Sequence, residues 1–235
     1  MKKLFIGDLH GDADFAKFIL EKYRNTHELV FIGDYVGSFD FNVEDQVRCI
    51  NIVLEAVKNF NNVKALLGNH ELSYLYPKMK CSGYSEKLQS LINPIKGELI
   101  DNLLSFIYYP EYKLLITHAG LTNSIWKEFK LVPNKLKTRL EEWIEDRKSP
   151  AYRIGSCRGG RNKAGGIFWN DFVEEFTSVD EIIQVFGHTA YSFVRIEGIR
   201  NKGKNYNLDC LRHVYNILEF DPVSREFEEI KTNYK

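Results

Sequence analysis

The sequence of 235 residues has little cysteine and no excess of charge of either sign. Its four cysteines, at positions 49, 81, 157 and 210, show no Cys-x-x-Cys spacing and no metal-clip pattern. We therefore expect scattered, reduced thiols in a cytoplasmic protein. The 32 basic and 32 acidic residues cancel, so no global field attracts nucleic acid or an anionic membrane surface.

Long hydrophobic runs are also lacking. The apolar runs are far shorter than the ~20 residues that span a bilayer, so we expect no membrane partner. The N-terminus reads MKKLFIGDLHGD, with acidic residues and glycine directly after a few apolar positions, which indicates a first strand and not a signal peptide. The length and the 44% apolar content suit one large domain with a well-buried core, which we expect to span 1–235.

The first part of the chain alternates short apolar runs with segments of helical periodicity. The runs are strand-like and the intervening segments helical, with strands at 2–7, 28–33 and 62–67, and helices at 12–25 and 42–60. Asp12 and Asn42 are placed to cap the two helices. Strands separated by helices of this length require parallel pairing with crossover helices, so the fold class is α/β.

The second part of the chain is less regular. The predicted elements are a mostly helical region at 72–106, strands at 113–117 and 181–186, an amphipathic helix at 135–148, a glycine-rich loop at 155–166, and two closing antiparallel strands at 213–220 and 225–232. The apolar stripe of the helix at 135–148 is typical of a core face, with a partner-binding groove as the alternative.

Five of the apolar runs end in the same way, at Asp, Asn or His beside a glycine. Single carboxylates at strand ends are usually turn or cap residues, but five coincident ends argue against that explanation. The carboxyl ends of parallel strands gather along one sheet edge, where ligands bind. The predicted site residues are therefore Asp8, His10, Asp34, Asn69, His70, His118 and His188.

This set offers oxygen and imidazole nitrogen without thiolate. Such donors suit Mn, Fe or Zn, and argue against copper(I) or an iron–sulfur cluster. One metal ion is too few for so many ligands, whereas two ions roughly 3.5–4 Å apart that share a carboxylate would use them all. We expect two divalent metal ions as cofactors, with Mn as the first choice and Fe or Zn as alternatives.

The five motifs GDLHG, GDYVG, GNHE, THAG and FGHT, in this order across residues 7–189, resemble the calcineurin-like metallophosphoesterases. Within that family the chain is most similar to the phosphoprotein phosphatase branch and its small bacterial and phage members. The resemblance implies a four-layer α/β/β/α sandwich of two packed mixed sheets flanked by helices. It also implies His70 as the general acid and six metal ligands: Asp8, His10 and Asp34 on one metal, and a bridging Asp34 with Asn69, His118 and His188 on the other.

The second motif departs from the branch pattern Gly-Asp-x-x-Asp-Arg-Gly. Gly37 replaces the Asp that orients the general-acid histidine in that pattern, and Ser38 replaces the Arg that clamps the substrate phosphate. A planar guanidinium binds phosphate in a bidentate manner, which a serine cannot do.

Other residues could supply the two missing functions. Arg158 and Arg161 in the glycine-rich loop could reach the phosphate, the alternatives being a solvated loop or, with less support, RNA contact. His70 could be oriented by an acidic residue of the following segment, namely Asp40, Glu44 or Asp45.

Two later segments also match the family loosely. In GGIFWND at 165–171, Asp171 is a candidate substrate contact, although a structural role for Trp169 is an equally good explanation of the motif. NLDC at 207–210 matches a late family segment that returns to the site, which makes Asp209 a weaker candidate.

The motifs predict a metal-dependent hydrolase of phosphate monoesters, with phosphoserine or phosphothreonine in proteins as the first substrate hypothesis. The first alternative is hydrolysis of a nucleotide such as a diadenosine polyphosphate, or of a phosphodiester, because the missing arginine harms a dianionic monoester most. The second alternative is a catalytically weak, metal-bound regulatory protein. The expected partner is a phosphorylated protein or a small phosphoester.

Overall fold

The computed structural model describes residues 1–190, 200–202, 204–210 and 214–234. Its first sheet has the strand order β10-β9-β1-β2-β3, with β1, β2 and β3 parallel and the two C-terminal strands antiparallel. The strands are β1 (Lys2–Ile6), β2 (His27–Phe31), β3 (Val63–Ala65), β9 (Asn216–Asp221) and β10 (Glu226–Lys231). The two predicted closing strands are thus confirmed as an antiparallel pair, except that residue 213 of the prediction lies outside the described residues.

The second sheet has the order β4-β5-β6-β8-β7, in which β5, β6 and β8 are parallel and both edge strands are antiparallel. Its strands are β4 (Phe106–Tyr109), β5 (Leu114–Thr117), β6 (Ile183–Phe186), β7 (Arg200–Lys202) and β8 (Asn205–Asn207). Three of these strands, β4, β7 and β8, were not predicted from the sequence. β4 directly follows a helical region, and β7 and β8 are short and mostly polar, so their apolar periodicity is too weak to read.

Seven α-helices connect these strands: α1 (Ala13–Tyr23), α2 (Val43–Asn59), α3 (Asn69–Leu75), α4 (Glu86–Ile92), α5 (Lys96–Asn102), α6 (Asn123–Glu128) and α7 (Leu136–Glu145) within the described residues. The two predicted N-caps are confirmed. Asp12 Oδ1 accepts from the Phe15 amide at 2.9 Å, and Asn42 Oδ1 accepts from the Asp45 amide at 2.8 Å. These caps begin α1 and α2 immediately after the loops that carry the first two motifs.

The two sheets pack face to face through an apolar layer. Phe5, Val30 and Leu66 of the first-sheet side form one buried cluster with Ile116 and Val185 of the second sheet. Burial of this kind contributes roughly 25 cal/mol per Å² of apolar surface, which makes the sheet interface a major stabilising element.

Helices cover the two outer faces of the sheets. On the first sheet, Leu4 and Phe31 lie in one buried cluster with Phe15 of α1 and Ile50 of α2. On the second sheet, Leu115 belongs to the same cluster, which includes the α7 stripe residues Leu136, Leu140 and Trp143. The α7 stripe is therefore a core face, and the four-layer α/β/β/α fold is confirmed.

Within the described residues, every helix is too short or too polar to cross a bilayer. The C-terminal strands β9 and β10 return to the sheet that begins with β1. A single domain over 1–235 stays a prediction.

Candidate metal centre

The C-terminal ends of five strands meet at one edge of the sandwich, and all the predicted ligands lie there. Although 180 residues separate them, the His188 amide donates to Asp8 Oδ2 at 2.8 Å. Asp34, at the end of β2, has its Oδ2 3.4 Å from His118 Nε2, which follows β5 of the other sheet. The site therefore lies across the junction of the two sheets.

The tightest group of donor atoms surrounds His118. Its Nε2 lies 2.9 Å from Asn69 Oδ1 and 3.1 Å from His188 Nδ1, and Asn69 Oδ1 lies 2.7 Å from His188 Nδ1. With the Asp34 carboxylate, four side chains from four strand ends converge on one point. Such an arrangement places several lone pairs together and suits a cation between them.

A second convergence adjoins the first. Three sets of possible ligands share members, and within each set the ligand atoms lie within 4.8 Å of one another: Asp8–His10–Asp209, His10–Asp34–His70, and Asp34–His118–His188. Asp34 and His10 each belong to two sets, so the groups are contiguous. Asp209, which the sequence supported only weakly, is buried in the first set.

Backbone carbonyls orient two of the imidazoles. His118 Nδ1 lies 3.1 Å from the Ile32 carbonyl oxygen, and His10 Nδ1 lies 3.3 Å from the Val36 carbonyl oxygen. Because a carbonyl only accepts, Nδ1 carries the proton in each ring and the Nε2 lone pair is directed elsewhere. This is the tautomer that a metal-ligating histidine requires.

Three of the candidate ligands have a left-handed backbone. The φ angles of His10, Asp34 and His188 are +45°, +53° and +72°, a region that residues with a Cβ rarely adopt. Each such residue costs of order 1 kcal/mol or more unless the surroundings impose it. These turns direct the side chains into the site, which supports a functional origin for the strain.

A buried glutamate that sequence reasoning missed organises the loops. The Glu71 carboxylate accepts hydrogen bonds from the amides of Asp34, Tyr35 and Gly68 at 2.8, 2.8 and 2.9 Å. Burial and the nearby Asp34 charge raise the pKa of Glu71 to about 7. The signal was present in GNHE, because a glutamate in the first turn of a helix commonly caps its N-terminal amides.

The electrostatics of the cluster favour bound positive charge. Burial and the neighbouring Asp209 carboxylate raise the pKa of Asp8 well above its usual range. Burial opposes the charged form of His118, yet the carboxylates of Asp34 and Asp8 raise its pKa to about 9. Within the described part of the chain, Asp8 Oδ1 and His188 Nε2 are buried without a hydrogen-bond partner. These residues fit divalent cations held by oxygen and imidazole donors.

His70 lies at the rim of the cluster, in the first turn of α3. Its amide donates to Asp34 Oδ1 at 3.0 Å, and its Nε2 lies 3.8 Å from Asp34 Oδ2. The other ring nitrogen, Nδ1, lies 3.5 Å from Cys81 Sγ. A Cβ built on Gly37 would lie 1.8 Å from that same Nδ1, so a side chain at position 37 is incompatible with this ring position.

The acidic residues considered as partners of His70 lie on the segment that follows Gly37. Glu44 is exposed, and its carboxylate binds Lys87 Nζ at 2.6 Å. Asp40 is also exposed, and its amide donates to Ser38 Oγ at 3.1 Å. His70 Nδ1 instead lies 3.5 Å from the thiol of Cys81, one of the cysteines that were expected to be scattered thiols.

The structure separates the two arginines proposed as phosphate ligands. Arg158 donates to Asp171 Oδ2 at 2.9 Å, to Thr189 Oγ1 at 3.2 Å and to the His188 carbonyl oxygen at 3.4 Å, which places it beside the cluster. Arg161 is exposed and lines a separate hollow of about 550 Å³. The glycine-rich loop therefore brings one arginine to the site.

Asp171 and Trp169 have structural contacts at this edge. Asp171 Oδ1 accepts from the amides of Val173 and Glu174 at 2.8 and 3.0 Å, while its other oxygen holds Arg158. The Trp169 ring lies 6.1 Å from the His188 ring in an edge-to-face arrangement. Asp171 thus fixes the arginine, and Trp169 packs behind a candidate ligand.

The family model for calcineurin-like phosphoesterases matches residues 1–192. The chain belongs to this family of phosphoester hydrolases. The match confirms the family resemblance of the five motifs, and the family implies a dinuclear divalent metal centre, for which the clusters described above provide candidate ligands.

Comparison with curated proteins identifies the symmetrical bis(5'-nucleosyl)-tetraphosphatase of Haemophilus ducreyi, 29% identical over 131 residues, with 52% of this chain and 46% of that protein covered. A relative of the same name from Actinobacillus pleuropneumoniae is 28% identical over the same span. The alignment spans about half the length of the curated relatives it matches.

Solved structures share the fold at low identity. A cold-active protein-tyrosine phosphatase of a psychrophilic Shewanella species is 16% identical with a TM-score of 0.61, covering 98% of this chain and 80% of that chain. A protein serine/threonine phosphatase from Saccharomyces cerevisiae is 15% identical with a TM-score of 0.51, covering 100% of this chain and 81% of that chain. At these identities the likeness extends to the fold alone.

Proposed function

We propose that this chain hydrolyses a phosphoric ester or anhydride with the help of two divalent cations. The observation that carries the proposal is the series of three overlapping donor sets, two of which contain Asp34. One cation would be held by Asp8, His10, Asp34 and Asp209. The other would be held by Asp34, Asn69, His118 and His188, with Asp34 common to both.

The chemistry follows from these donors and from His70. When bound, two divalent cations would neutralise phosphate oxygens and lower the pKa of a water molecule, so that hydroxide is available near neutral pH. Attack in line with the leaving group forms the new P–O bond as the bond to the leaving oxygen breaks. His70, whose Nε2 faces the cluster, would give its proton to that oxygen. Because hydroxide attacks directly, no covalent enzyme intermediate forms.

Arg158 is the candidate ligand for substrate phosphate. Its contact with Asp171 holds the guanidinium beside His188, where further N–H groups can meet an anion at the cluster. The position of Arg161 on a separate hollow makes it a poor candidate for the same role. The site would therefore have a single arginine at the substrate phosphate.

For the substrate, the comparisons support the nucleotide alternative better than a phosphoprotein. The curated relatives are named as hydrolases of bis-nucleosyl tetraphosphates, and the site lacks the second-motif arginine that suits a dianionic monoester. A nucleoside diphosphate is also a better leaving group than a serine alkoxide and needs less help from an acid. We therefore propose a dinucleoside polyphosphate as the substrate, with a phosphoserine or phosphothreonine protein as the second candidate.

A substrate panel tests this proposal. Diadenosine tetraphosphate, a phosphopeptide and an aryl phosphodiester are assayed with manganese, beside the Asp34→Asn variant as the metal-only blank. We expect the highest kcat/KM for diadenosine tetraphosphate. A higher value for the phosphopeptide would favour the phosphoprotein candidate, and no rate above the blank on any substrate would favour a metal-bound regulatory protein.

A further inference from the structure

The surroundings of His70 contain a thiol where the branch pattern has a carboxylate. Position 37 has no side chain, and its backbone lies against another loop: a Cβ on Gly83 would be 3.2 Å from the Gly37 carbonyl oxygen. The loop that contains Gly83 also contains Cys81, whose Sγ lies 3.5 Å from His70 Nδ1. The missing side chain at position 37 thus leaves space for both the imidazole and the loop that carries the thiol.

This loop is held in place by its own contacts. The Tyr74 and Tyr84 rings stack with centroids 5.1 Å apart. The Tyr74 hydroxyl donates to the Gly83 carbonyl oxygen at 3.4 Å and accepts from the Ser85 amide at 3.2 Å. Tyr74 lies on α3, whose first turn contains His70. The contacts of Tyr74 therefore hold the loop with the thiol against the helix that carries the imidazole.

The chemistry of a thiol gives the contact a direction. The role of an acid requires a His70 ring with both nitrogens protonated, and each N–H then donates. The Ser73 hydroxyl donates its proton to the His70 carbonyl oxygen at 2.7 Å, so its oxygen can accept the S–H of the neighbouring Cys81. The sulfur is then left to accept from His70 Nδ1–H, while Nε2–H faces Asp34.

We infer that Cys81 is a positioning residue for His70: its sulfur accepts from Nδ1–H and holds the ring with Nε2–H directed at the metal cluster. The inference rests on the proposed function, in which His70 protonates the leaving oxygen. It differs from the acidic partners that the sequence suggested, because a neutral sulfur orients the ring without adding negative charge.

The kinetic test compares two aryl monoesters of similar size, phenyl phosphate and 4-nitrophenyl phosphate, with manganese. Cys81→Val removes the acceptor of Nδ1–H, so kcat on phenyl phosphate should fall about 10-fold, a part of the ~10²–10⁴-fold contribution of a general acid. The fall on 4-nitrophenyl phosphate should be under about threefold, because that leaving group needs little protonation. KM should stay unchanged, and Cys81→Ser should restore most of the difference.

The control is Cys49→Ala, which removes a buried thiol from α2. Any loss of stability there should lower both rates together and leave their ratio as in the wild type. An equal fall of both rates in Cys81→Val, or no fall in either, would show that Cys81 does not act through His70.

A readout without turnover separates this inference from the proposed function. In ¹⁵N-labelled protein, the His70 signals, assigned by their loss in His70→Ala, should show a proton on Nδ1. Cys81→Val should give a mixture of tautomers, and Cys81→Ser should retain the wild-type pattern. A wild-type chain that is inactive on both esters and on diadenosine tetraphosphate but gives these signals would contradict the proposed function alone. Identical signals in Cys81→Val would overturn the inference.

Discussion

The buried ligand cluster and the rim of loops around it differ in how they are built. The cluster consists of side chains at the ends of buried strands, such as Asp8 and His118, which are 1% and 0% exposed. The rim consists of loops, where Gly37, Ser38 and Arg158 lie. The cluster keeps the family motifs intact, whereas the rim departs from the branch pattern. From this difference we expect the buried cluster to determine the class of chemistry and the loops to determine the choice of substrate.

The largest effect is expected within the cluster. Asp34→Asn removes the carboxylate common to two donor sets, so activity should fall by at least about 10³-fold and bound manganese should drop below two per chain. Steady-state kinetics and elemental analysis measure both quantities. The control is Asp14→Asn, an exposed residue paired with Arg48, which should keep full activity and metal content. Retained activity in Asp34→Asn would contradict the expectation that the buried cluster determines the chemistry.

The second largest effect is expected at Glu71, which is not a proposed metal ligand but supports the loops of the cluster. Glu71→Gln leaves one acceptor oxygen for the amides of Asp34, Tyr35 and Gly68. We expect a loss of about 1–3 kcal/mol in the free energy of unfolding and a weaker manganese affinity. Denaturant titration and metal titration measure these changes. A stability loss with unchanged metal affinity would mean that Glu71 supports the fold without shaping the cluster.

The rim is tested by a matched pair of arginines. Arg158→Met should raise KM for the preferred substrate by roughly 10-fold, since a charge-assisted hydrogen bond contributes about 1.5–3 kcal/mol. Arg161→Met, from the same loop, should change KM by less than about twofold. Equal effects of the two substitutions would show that charge in the loop matters and that the contact with Asp171 does not.

The smallest effect on activity is expected at a charged network outside both regions. Glu28 binds Lys3, Lys64 and Tyr109, with distances of 2.5, 2.6 and 2.5 Å. Burial alone would raise the pKa of Glu28, but these partners outweigh it and lower the pKa to about 2. The stabilisation is therefore fully present above the ordinary glutamate pKa and is lost as the pH falls towards 2.

Glu28→Gln should accordingly cost about 1–2 kcal/mol of stability at pH 7, after allowance for the exposed part of the network, and less at pH 3. Activity should stay within about twofold of wild type. Glu141→Gln, an exposed carboxylate on α7, is the control and should change stability by less than about 0.5 kcal/mol. A pH-independent loss in Glu28→Gln would indicate lost packing in place of lost ion pairs.

Much of the fold and of the ligand cluster could be predicted because both depend on buried strands. Apolar runs, helix caps at Asp12 and Asn42, and polar residues beside glycine are local signals that the chain repeats. Five strand ends meet although the strands belong to two sheets, since both sheets point their C-terminal edges to the same side. The assignment of each ligand to a metal stays a prediction.

The rim could not be predicted because its contacts join loops that are distant in sequence. The sequence around Cys81 does not indicate a contact with His70. That contact depends on the space left by Gly37 and on the stacking of Tyr74 on Tyr84. Arg158 and Arg161 are equivalent by composition, and only the fold of their loop separates them. The polar strands β7 and β8 were missed for a related reason, since their place is set by pairing and not by apolar periodicity.

The left-handed turns at His10, Asp34 and His188 have a consequence for the order of folding and metal binding. Their conformations are imposed by loops from both sheets, so the polypeptide must close before its donors can be arranged. Metal binding should then follow folding, and each bound ion should link side chains from the two sheets. Removal of the metal by a chelator should consequently weaken the packing of the two sheets against each other before it disturbs either sheet alone.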